Sequence, residues 1–445
     1  DDWIITSVTS FDYDESPKGS WMMHSSGLTI INIEHRRMES YICPECSSPA
    51  RLKQYRIRKL HHVRGYGYDT ILRVRIPQIV CEGCGKASMM PFPIARKGVS
   101  FTIGFEEWVL RTLYDKNVSK ASRETMVGQW MLWDILFYRV NEALEGLVLD
   151  NVEMISIDET SFRKGHDYVT VVSDQDRRLV FMCHGKGSNS LAEFCDWMRL
   201  HGGDPKKISV VCADMSTAFE SGIRRYLPNA VEVFDKFHVI KLLNDDMNVI
   251  RKRLIKTTPI EKRKELDHIK FTVLKHRESM SEKDEERYRT IRLVNPELAL
   301  AYDMKEAFYR IYEQEDKDAA KEFFDGWSEW VINDGCRELK IRARKLREKM
   351  DKILSWYDHP VTNAFAEGLN SKIQKVKADG CGFTNVRNFI NLCYFRFGEL
   401  DIDLTDKHDG GALSSSAGER SESRIIKRRA KRVLLLGMCL YQNPF

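Results

Sequence analysis

Ile155-Ser156-Ile157-Asp158-Glu159-Thr160-Ser161-Phe162 is the stretch on which the reading of this chain turns. A short apolar run breaks off into two carboxylates and then into small polar residues. That is the pattern of a buried strand delivering an acid to the edge of a sheet. Two later stretches supply partners for it: Val210-Val211-Cys212-Ala213-Asp214-Met215, and Asn363-Ala364-Phe365-Ala366-Glu367-Gly368-Leu369-Asn370. Asp158, Asp214 and Glu367 are therefore expected to converge.

The segments around these acids give the topology. Strands are expected at 152–157, 168–173 and 179–184, joined by short connections such as the turn Asp174-Gln175-Asp176-Arg177-Arg178, so they form an antiparallel meander. Ser188 caps a helix to about Leu200; a strand follows from Ile208 to Cys212, a helix from Thr217 to Tyr226, and a strand from Ala230 to Phe234. Three strands, then helix, strand, helix, strand is the order of the ribonuclease H-like fold, whose first and fourth strands are central neighbours. Asp158 and Asp214 fall at the ends of those two strands. Glu159, one residue on, should point to the opposite face.

Upstream, Cys43-Pro44-Glu45-Cys46 and Cys81-Glu82-Gly83-Cys84-Gly85 are separated by 34 residues. Each places two thiolates on a tight knuckle, and four such ligands suit a closed, tetrahedral, structural Zn²⁺ site. Between them Thr70-Ile71-Leu72-Arg73-Val74-Arg75-Ile76 alternates apolar and basic residues, so a zinc ribbon with a basic face is expected over 28–100, with Arg73 and Arg75 toward DNA. His61 and His62 could replace a zinc ligand, but with four cysteines available they read as surface residues that touch phosphate. From 101 to 150 three helices follow, Glu106–Tyr114, Ser119–Met126 with Ser119 as N-cap, and Trp130–Leu144. Their outline is a helix-turn-helix with Lys120, Arg123 and Arg139 as phosphate contacts. The apolar third helix suits an interdomain or dimer-forming bundle equally well.

Residues 1–27 read as a flexible arm or tag. The ribonuclease H-like core occupies 151–240 and resumes at 356–400, where a helix carries Glu367 with Lys372 and Lys375 as further DNA contacts. A charged, aromatic-containing, all-helical insertion fills 241–355. The stretch 401–445 reads as a flexible basic tail, with a cationic cluster at 424–432 and an apolar end at 433–440. The fold class is thus α/β multidomain.

A chain of 445 residues is too long for one ordinary core, and about two to four domains are expected. Its net charge of +5 is too small to prove a nucleic-acid partner. Of eleven cysteines, four form the two pairs and the rest are scattered singly, which suits a reducing compartment rather than a secreted disulfide framework. No run approaches the roughly 18 apolar residues of a membrane span. A cytoplasmic protein with no membrane partner is expected.

Cleaving or joining a phosphodiester needs an activated oxygen nucleophile and charge relief on the leaving oxygen, which two Mg²⁺ ions about 4 Å apart supply. Such hard cations (Mg²⁺, or Mn²⁺) want carboxylate oxygens and water. Asp158 would bridge from the central strand, Asp214 from its neighbour, and Glu367 from the following helix. Asp235, in Phe234-Asp235-Lys236-Phe237-His238, also ends a strand; with His238 it forms a supporting pair and is the main substitute for Asp214.

These residues carry a family likeness. The chain resembles bacterial insertion-sequence transposases of the ISL type, which are DDE enzymes with a zinc ribbon and a helix-turn-helix. The matching segments are the two Cys-x-x-Cys pairs, Ser156 to His166, Asp214-Met215-Ser216, Phe234 to Val239, and Glu367-Gly368-Leu369-Asn370-Ser371-Lys372-Ile373. The likeness spans roughly 28–400. It departs at Lys377-Ala378-Asp379-Gly380-Cys381-Gly382, where family members are more basic. It implies a transposase that binds the terminal inverted repeats of its element, cleaves at their ends and joins them to target DNA. The implied catalytic acids are Asp158, Asp214 and Glu367. A homodimer or larger assembly on double-stranded DNA follows from the need to handle two ends, in a bacterial, nucleoid-associated setting. Two alternatives share the fold: a domesticated DNA-binding regulator, which would have a damaged acid triad, and a nuclease or resolvase, which would lack the front end.

Overall fold

The computed structural model describes residues 2–12, 27–65, 67–163, 165, 167–266, 268–359, 364–380 and 382–402. His166, the basic cluster at 424–432, the apolar end at 433–440 and the side chain of Glu367 lie outside the described residues. The chain divides into two compact units. One runs to Glu145 and includes Asp379–Arg396; the other is built from Gly146–Ala378.

In the first unit a mixed sheet has the order β1 (Trp3–Asp12), β2 (Gly27–His35), β5 (Tyr68–Cys81), β4 (Pro49–Gly65), β3 (Tyr41–Ile42), with β6 (Ala87–Met89) also on β5. The expected alternation of β5 is present. Thr70, Leu72, Val74 and Ile76 are buried while Arg73 and Arg75 are exposed, and the inward residues pack with Ile33, Leu60, Phe92 and Ala95.

Within the arm or tag expected over 1–27, Trp3–Asp12 is corrected to a strand that pairs antiparallel with β2, while 13–26 lie outside the described residues. Nine of its ten residues are exposed, so it carries no apolar periodicity to read. Polar links hold it instead: Asn32 donates to Ser7 Oγ at 2.9 Å, and the Ser10 and Thr29 hydroxyls meet at 3.0 Å. The Trp3 ring anchors its start at 4.8 Å from both Phe92 and His35.

Three helices complete the front of this unit: α1 (Ile103–Asp115), α2 (Val118–Thr125) and α3 (Gln129–Glu145). Asn117, not Ser119, caps α2, with its Oδ1 accepting from Lys120 N at 2.9 Å. Met126 in the left-handed region (φ 58°) ends α2 and opens the turn to α3. The apolar α3 resolves into one buried stripe, Leu132, Ile135, Leu136, Val140 and Leu144, at helical spacing. Trp130 at its start is 71% exposed.

The second unit contains a five-stranded sheet ordered β11-β10-β7-β8-β9. The strands are β7 (Met154–Arg163), β8 (Asp167–Asp174), β9 (Leu179–His184), β10 (Val210–Ala213) and β11 (Val231–Phe234). The meander is antiparallel and β10 lies parallel to both β7 and β11. Helices α4 (Ser188–Leu200) and α5 (Thr217–Tyr226) cover it through Leu191, Phe194, Met198, Phe219 and Ile223, packed with Ile155, Ile157 and Val211. Gly187 rather than Ser188 occupies the N-cap of α4.

The helical stretch begins with α6 (Lys236–Thr257), directly after β11 and within a residue of the Phe237 start that the sequence leads one to expect. It continues through α7 (Ile260–Arg263), α8 (Ile269–Leu274), α9 (Glu282–Val294), α10 (Pro296–Tyr309), α11 (Lys317–Asp334), α12 (Arg337–Arg347) and α13 (Met350–Leu354). Tyr302, Phe308, Phe324 and Trp327 lie in its own hydrophobic core, as the interleaved aromatics suggest. Its charges do more than solvate. Arg253 pairs with Glu338 at 2.8 Å and Arg342 with Asp246 at 2.6 Å, clipping α6 to α12.

The expected closing segment 356–400 is split. Helix α14 (Ala364–Asp379) packs on β7, whereas α15 (Val386–Phe397) belongs with α1. Arg396 on α15 donates at 2.9 Å to the carbonyls of Leu113 and Lys116, satisfying the C-terminal end of α1.

Candidate active site

The parallel ladder decides where the acids sit. Ile157 pairs with Ala213, and Ala213 with Phe234, as the last rungs between β7, β10 and β11. Asp158, Asp214 and Asp235 are the next residues on these three neighbouring strands. Asp158 is not at the end of its own strand, as expected, because β7 continues to Arg163 against β8. It lies instead where the shorter β10 stops. The acid is thus backed by a continuing strand on one side and open on the other.

Each carboxylate is oriented by local bonds. Asp158 Oδ1 accepts from Glu159 N at 2.7 Å, and Asp214 Oδ1 from Ser216 N at 3.0 Å. Asp235 caps α6 through Phe237 N at 3.0 Å, while its other oxygen accepts from His238 Nδ1 at 2.5 Å. Burial pushes Asp158 above the usual carboxylate range; the charge of His238 and the Glu159 amide oppose this, and Asp214 and Asp235 add to it. His238 feels burial downward, but the Asp235 hydrogen bond and the charges of Asp158, Asp235 and Asp214 hold it above its ordinary value. Glu159 faces the other way, where Oε1 accepts from Gly187 N at 3.0 Å ahead of α4.

Helix α14 closes over the Asp158 face of β7 through contacts that the sequence reading missed. Asn370 Nδ2 donates to Asp158 Oδ2, Gln374 Nε2 to the Thr160 hydroxyl and to Ser161 O, and Lys377 Nζ to Ser161 O at 2.7 Å. These residues lie three, four and three apart along the chain from Glu367 onward, the spacing of one helix face. Glu367 is one turn before Asn370 in the same helix. That polar stripe was available in the sequence as the signal. Asn370 Oδ1 is buried and has no partner among the described residues.

The sequence model of the ISL3 group of DDE proteins, described as "Transposase", matches residues 155–393, more than half of the chain. The chain belongs to the ISL3 family of DDE transposases. The matched span begins in β7 just before Asp158 and takes in Asp214, Asp235 and all of α14. Among its curated relatives is the transposase for insertion sequence element IS1001 of Bordetella parapertussis, 22% identical over 354 residues, covering 78% of this chain and 86% of the relative. Another is the transposase for insertion sequence element IS1557 of Mycobacterium tuberculosis, 24% identical over 379 residues, covering 78% and 83%.

In this transposase the four expected cysteines come together. Cys43, Cys46, Cys81 and Cys84 have ligand atoms all within 4.8 Å of one another, and among the described residues no other group of three or more candidate ligands is so close. Cys43 and Cys84 sulfurs lie 3.9 Å apart and Cys46 and Cys81 sulfurs 3.4 Å, near the ~3.8 Å edge of a tetrahedron with Zn–S bonds of about 2.3 Å. The knuckles mirror each other. Ser47 (φ 60°) and Gly85 (φ 70°), each just after the second cysteine of its pair, take the left-handed conformation. Gly83 and Cys84 amides donate to Cys81 Sγ at 3.3 Å. A Cβ on Gly83 would lie 2.5 Å from Ser48 Oγ, so only glycine lets the knuckles approach. Hydrogen bonds from Ser48 draw the exposed Cys46 thiol down to about 6. The donor set fits Zn²⁺.

The expected DNA contacts divide by environment. Lys120, Arg123, Arg73, Lys372 and Lys375 are exposed. Arg75 is exposed too, but pairs with Glu34 at 3.1 Å and stacks on Tyr55 at 4.1 Å. Arg139 turns inward to the fully buried Glu106, at 3.4 Å, which also holds Arg96 at 2.6 Å. Its charge is spent inside the unit. His62 bonds Thr102 Oγ1 at 2.8 Å and so belongs to the start of α1.

Proposed function

We propose that this transposase binds the terminal inverted repeats of an insertion sequence, cleaves the DNA at its ends and joins the freed 3′ ends to target DNA at a single acidic site. The observation that carries the reading is the row of Asp158 and Asp214 at the end of the β7–β10 ladder, with α14 bonded across Asp158. The strand order agrees with a ribonuclease H-like core. Asp158, Asp214 and Glu367 are the residues that would hold Mg²⁺ (or Mn²⁺), and the donor set fits: carboxylates, plus a buried amide oxygen awaiting a partner. When bound, the cation supplies activation of the attacking oxygen and charge relief on the leaving one.

The chain's own residues set up that chemistry. The rigid ladder fixes Asp158 and Asp214 at one register, so little ordering cost remains at the moment of reaction. Asp235 accepts from His238 Nδ1 and fixes the imidazole beside the acids, where the surrounding carboxylates favour its charged form. Gln374 and Lys377 fix the axial position of α14, and hence of Glu367, against β7.

The front unit supplies DNA affinity in this reading. The four cysteines hold a structural Zn²⁺ that fixes the knuckles between β3 and β4 and between β5 and β6. Exposed Arg73, Lys120 and Arg123 contact phosphate. On the β4–β5 ladder Lys59 stands directly opposite Arg73, both exposed. Like charges facing across strands are destabilising unless a polyanion lies over them. The deciding experiment is Asp158→Asn on a substrate carrying the element's own ends, with Mg²⁺. Strand cleavage and transfer fall to background while the melting temperature and end binding stay at wild-type values. Strand transfer retained by a folded Asp158→Asn protein overturns the assignment.

A further inference from the structure

We infer that Asn370 supplies an amide oxygen to the cation held by Asp158, a role that rests on the acidic-site reading above. The side chain already ends at the carboxylate, where Nδ2 donates to Asp158 Oδ2. The other end of the amide, Oδ1, is buried and lacks a partner among the described residues. A buried, unpaired carbonyl is costly, and a chain keeps one where something else satisfies it.

An asparagine amide presents oxygen and nitrogen at nearly equivalent positions, exchanged by a half turn about the Cβ–Cγ bond. A carboxylate neighbour draws the N–H₂ end; a divalent cation on that carboxylate draws the oxygen end. Hard cations take Asn carbonyl oxygens alongside Asp and Glu. One side chain thus serves two purposes in turn: without the cation its N–H₂ pins Asp158, and with the cation the turned amide offers a neutral oxygen ligand.

The backbone makes the placement dependable. Gln374 and Lys377, four and seven residues beyond Asn370, bond Thr160 and Ser161 on β7. Asp158, Thr160 and Phe162 share one strand face, and α14 is keyed to it at two further points. The helix therefore cannot slide by a residue without losing both, and Asn370 stays beside Asp158. Asn370 is also neutral, so it adds a ligand without adding repulsion to a site already crowded with aspartates.

The test is calorimetric titration of Mn²⁺ into the zinc-loaded full-length chain without DNA, comparing wild type with Asn370→Ala, Asn370→Asp and Asp158→Asn, each with its melting temperature. We expect Asn370→Ala to weaken Mn²⁺ binding at least about tenfold, as loss of a ligand or its support does, and Asn370→Asp to keep or tighten it. Asp158→Asn should abolish it. Wild-type Mn²⁺ affinity in Asn370→Ala, with binding lost in Asp158→Asn, overturns the role of Asn370 and leaves the acidic site standing. Mn²⁺ binding unchanged in Asp158→Asn means the acidic site itself is wrongly placed. If Asn370→Ala also lowers the melting temperature, Asn370→Asp decides: restored binding supports an oxygen ligand, and binding still weak reduces Asn370 to a packing residue.

Discussion

At the scale of single residues, the difference between a surface cation and a committed one governs what a substitution does. Arg139, Arg123 and Lys120 are alike in sequence, yet Arg139 and Arg96 share the fully buried Glu106. Burial alone drives Glu106 upward, and the two guanidiniums work against it, Arg96 first. Removing the acid leaves two largely buried cations facing each other, so Glu106→Ala should destabilise the front unit by roughly 3–5 kcal/mol. Arg139→Ala should also lower the melting temperature. Lys120→Ala and Arg123→Ala should leave it unchanged and weaken DNA binding. Thermal melts beside binding isotherms separate the two classes; a stable Arg139→Ala protein with impaired DNA binding would return that residue to the DNA face. Asp158 and Asp214, the proposed catalytic aspartates, could be picked out because an apolar run ending in acid is a local pattern. Asn370 was not assigned a role, since its partner lies 212 positions away and only the fold joins them.

At the scale of elements, the sequence reading succeeded where periodicity was local and strong, and failed where polar bonds do the holding. Thr217–Tyr226 is placed to the residue, and the β8 and β9 strands to within one or two. β1 was missed because its outward residues carry no alternation. β7 was cut short because a paired Asp-Glu looks like a strand end, although the β8 ladder continues past it. Helix α9 illustrates how much a polar cap carries. Its Ser281 and Asp284 form a reciprocal capping box, and the same carboxylate also accepts from Thr272 Oγ1 at 3.0 Å and Lys275 Nζ at 2.6 Å. These bonds, the one from Lys275 foremost, hold Asp284 well below the usual carboxylate range. Because the folded value is depressed, its stabilisation is present in full above the unfolded value near 3.9 and is lost as pH falls through the folded one. Asp284→Asn should therefore cost about 2 kcal/mol at pH 7, and the gap from wild type should narrow below about pH 4. A pH-independent gap in urea melts would show that the charge is not what matters. The knuckles make a second element-scale expectation: each chain should hold one Zn²⁺ by elemental analysis, and Cys81→Ser should lower both that content and the melting temperature.

At the scale of the whole molecule, a net charge of +5 conceals where the cations are placed. Grouping the chain by sequence assigned 356–400 to one domain; non-local contacts send α15 to the front unit, because Arg396 ends up satisfying carbonyls of α1 some 280 positions away. No window of sequence holds both halves of that bond. The basic strand β4 was passed over for the same reason, since its register with β5 makes it meaningful. Arg51, Lys53, Arg56 and Lys59 are exposed along it, and Lys59 faces Arg73. If that pair served the fold, neutralising it would do harm. Opposed like charges instead cost about 0.2–1 kcal/mol in a ladder, so Lys59→Gln with Arg73→Gln should leave the melting temperature equal or higher. If the pair serves DNA, the same double variant should bind more weakly across all sequences, and the slope of log affinity against log salt should shrink by about 1 for each lost phosphate contact. The two measurements move in opposite directions under this reading. A lowered melting temperature with an unchanged salt slope would instead make the pair part of the sheet's own packing and move the DNA path off the β4–β5 face.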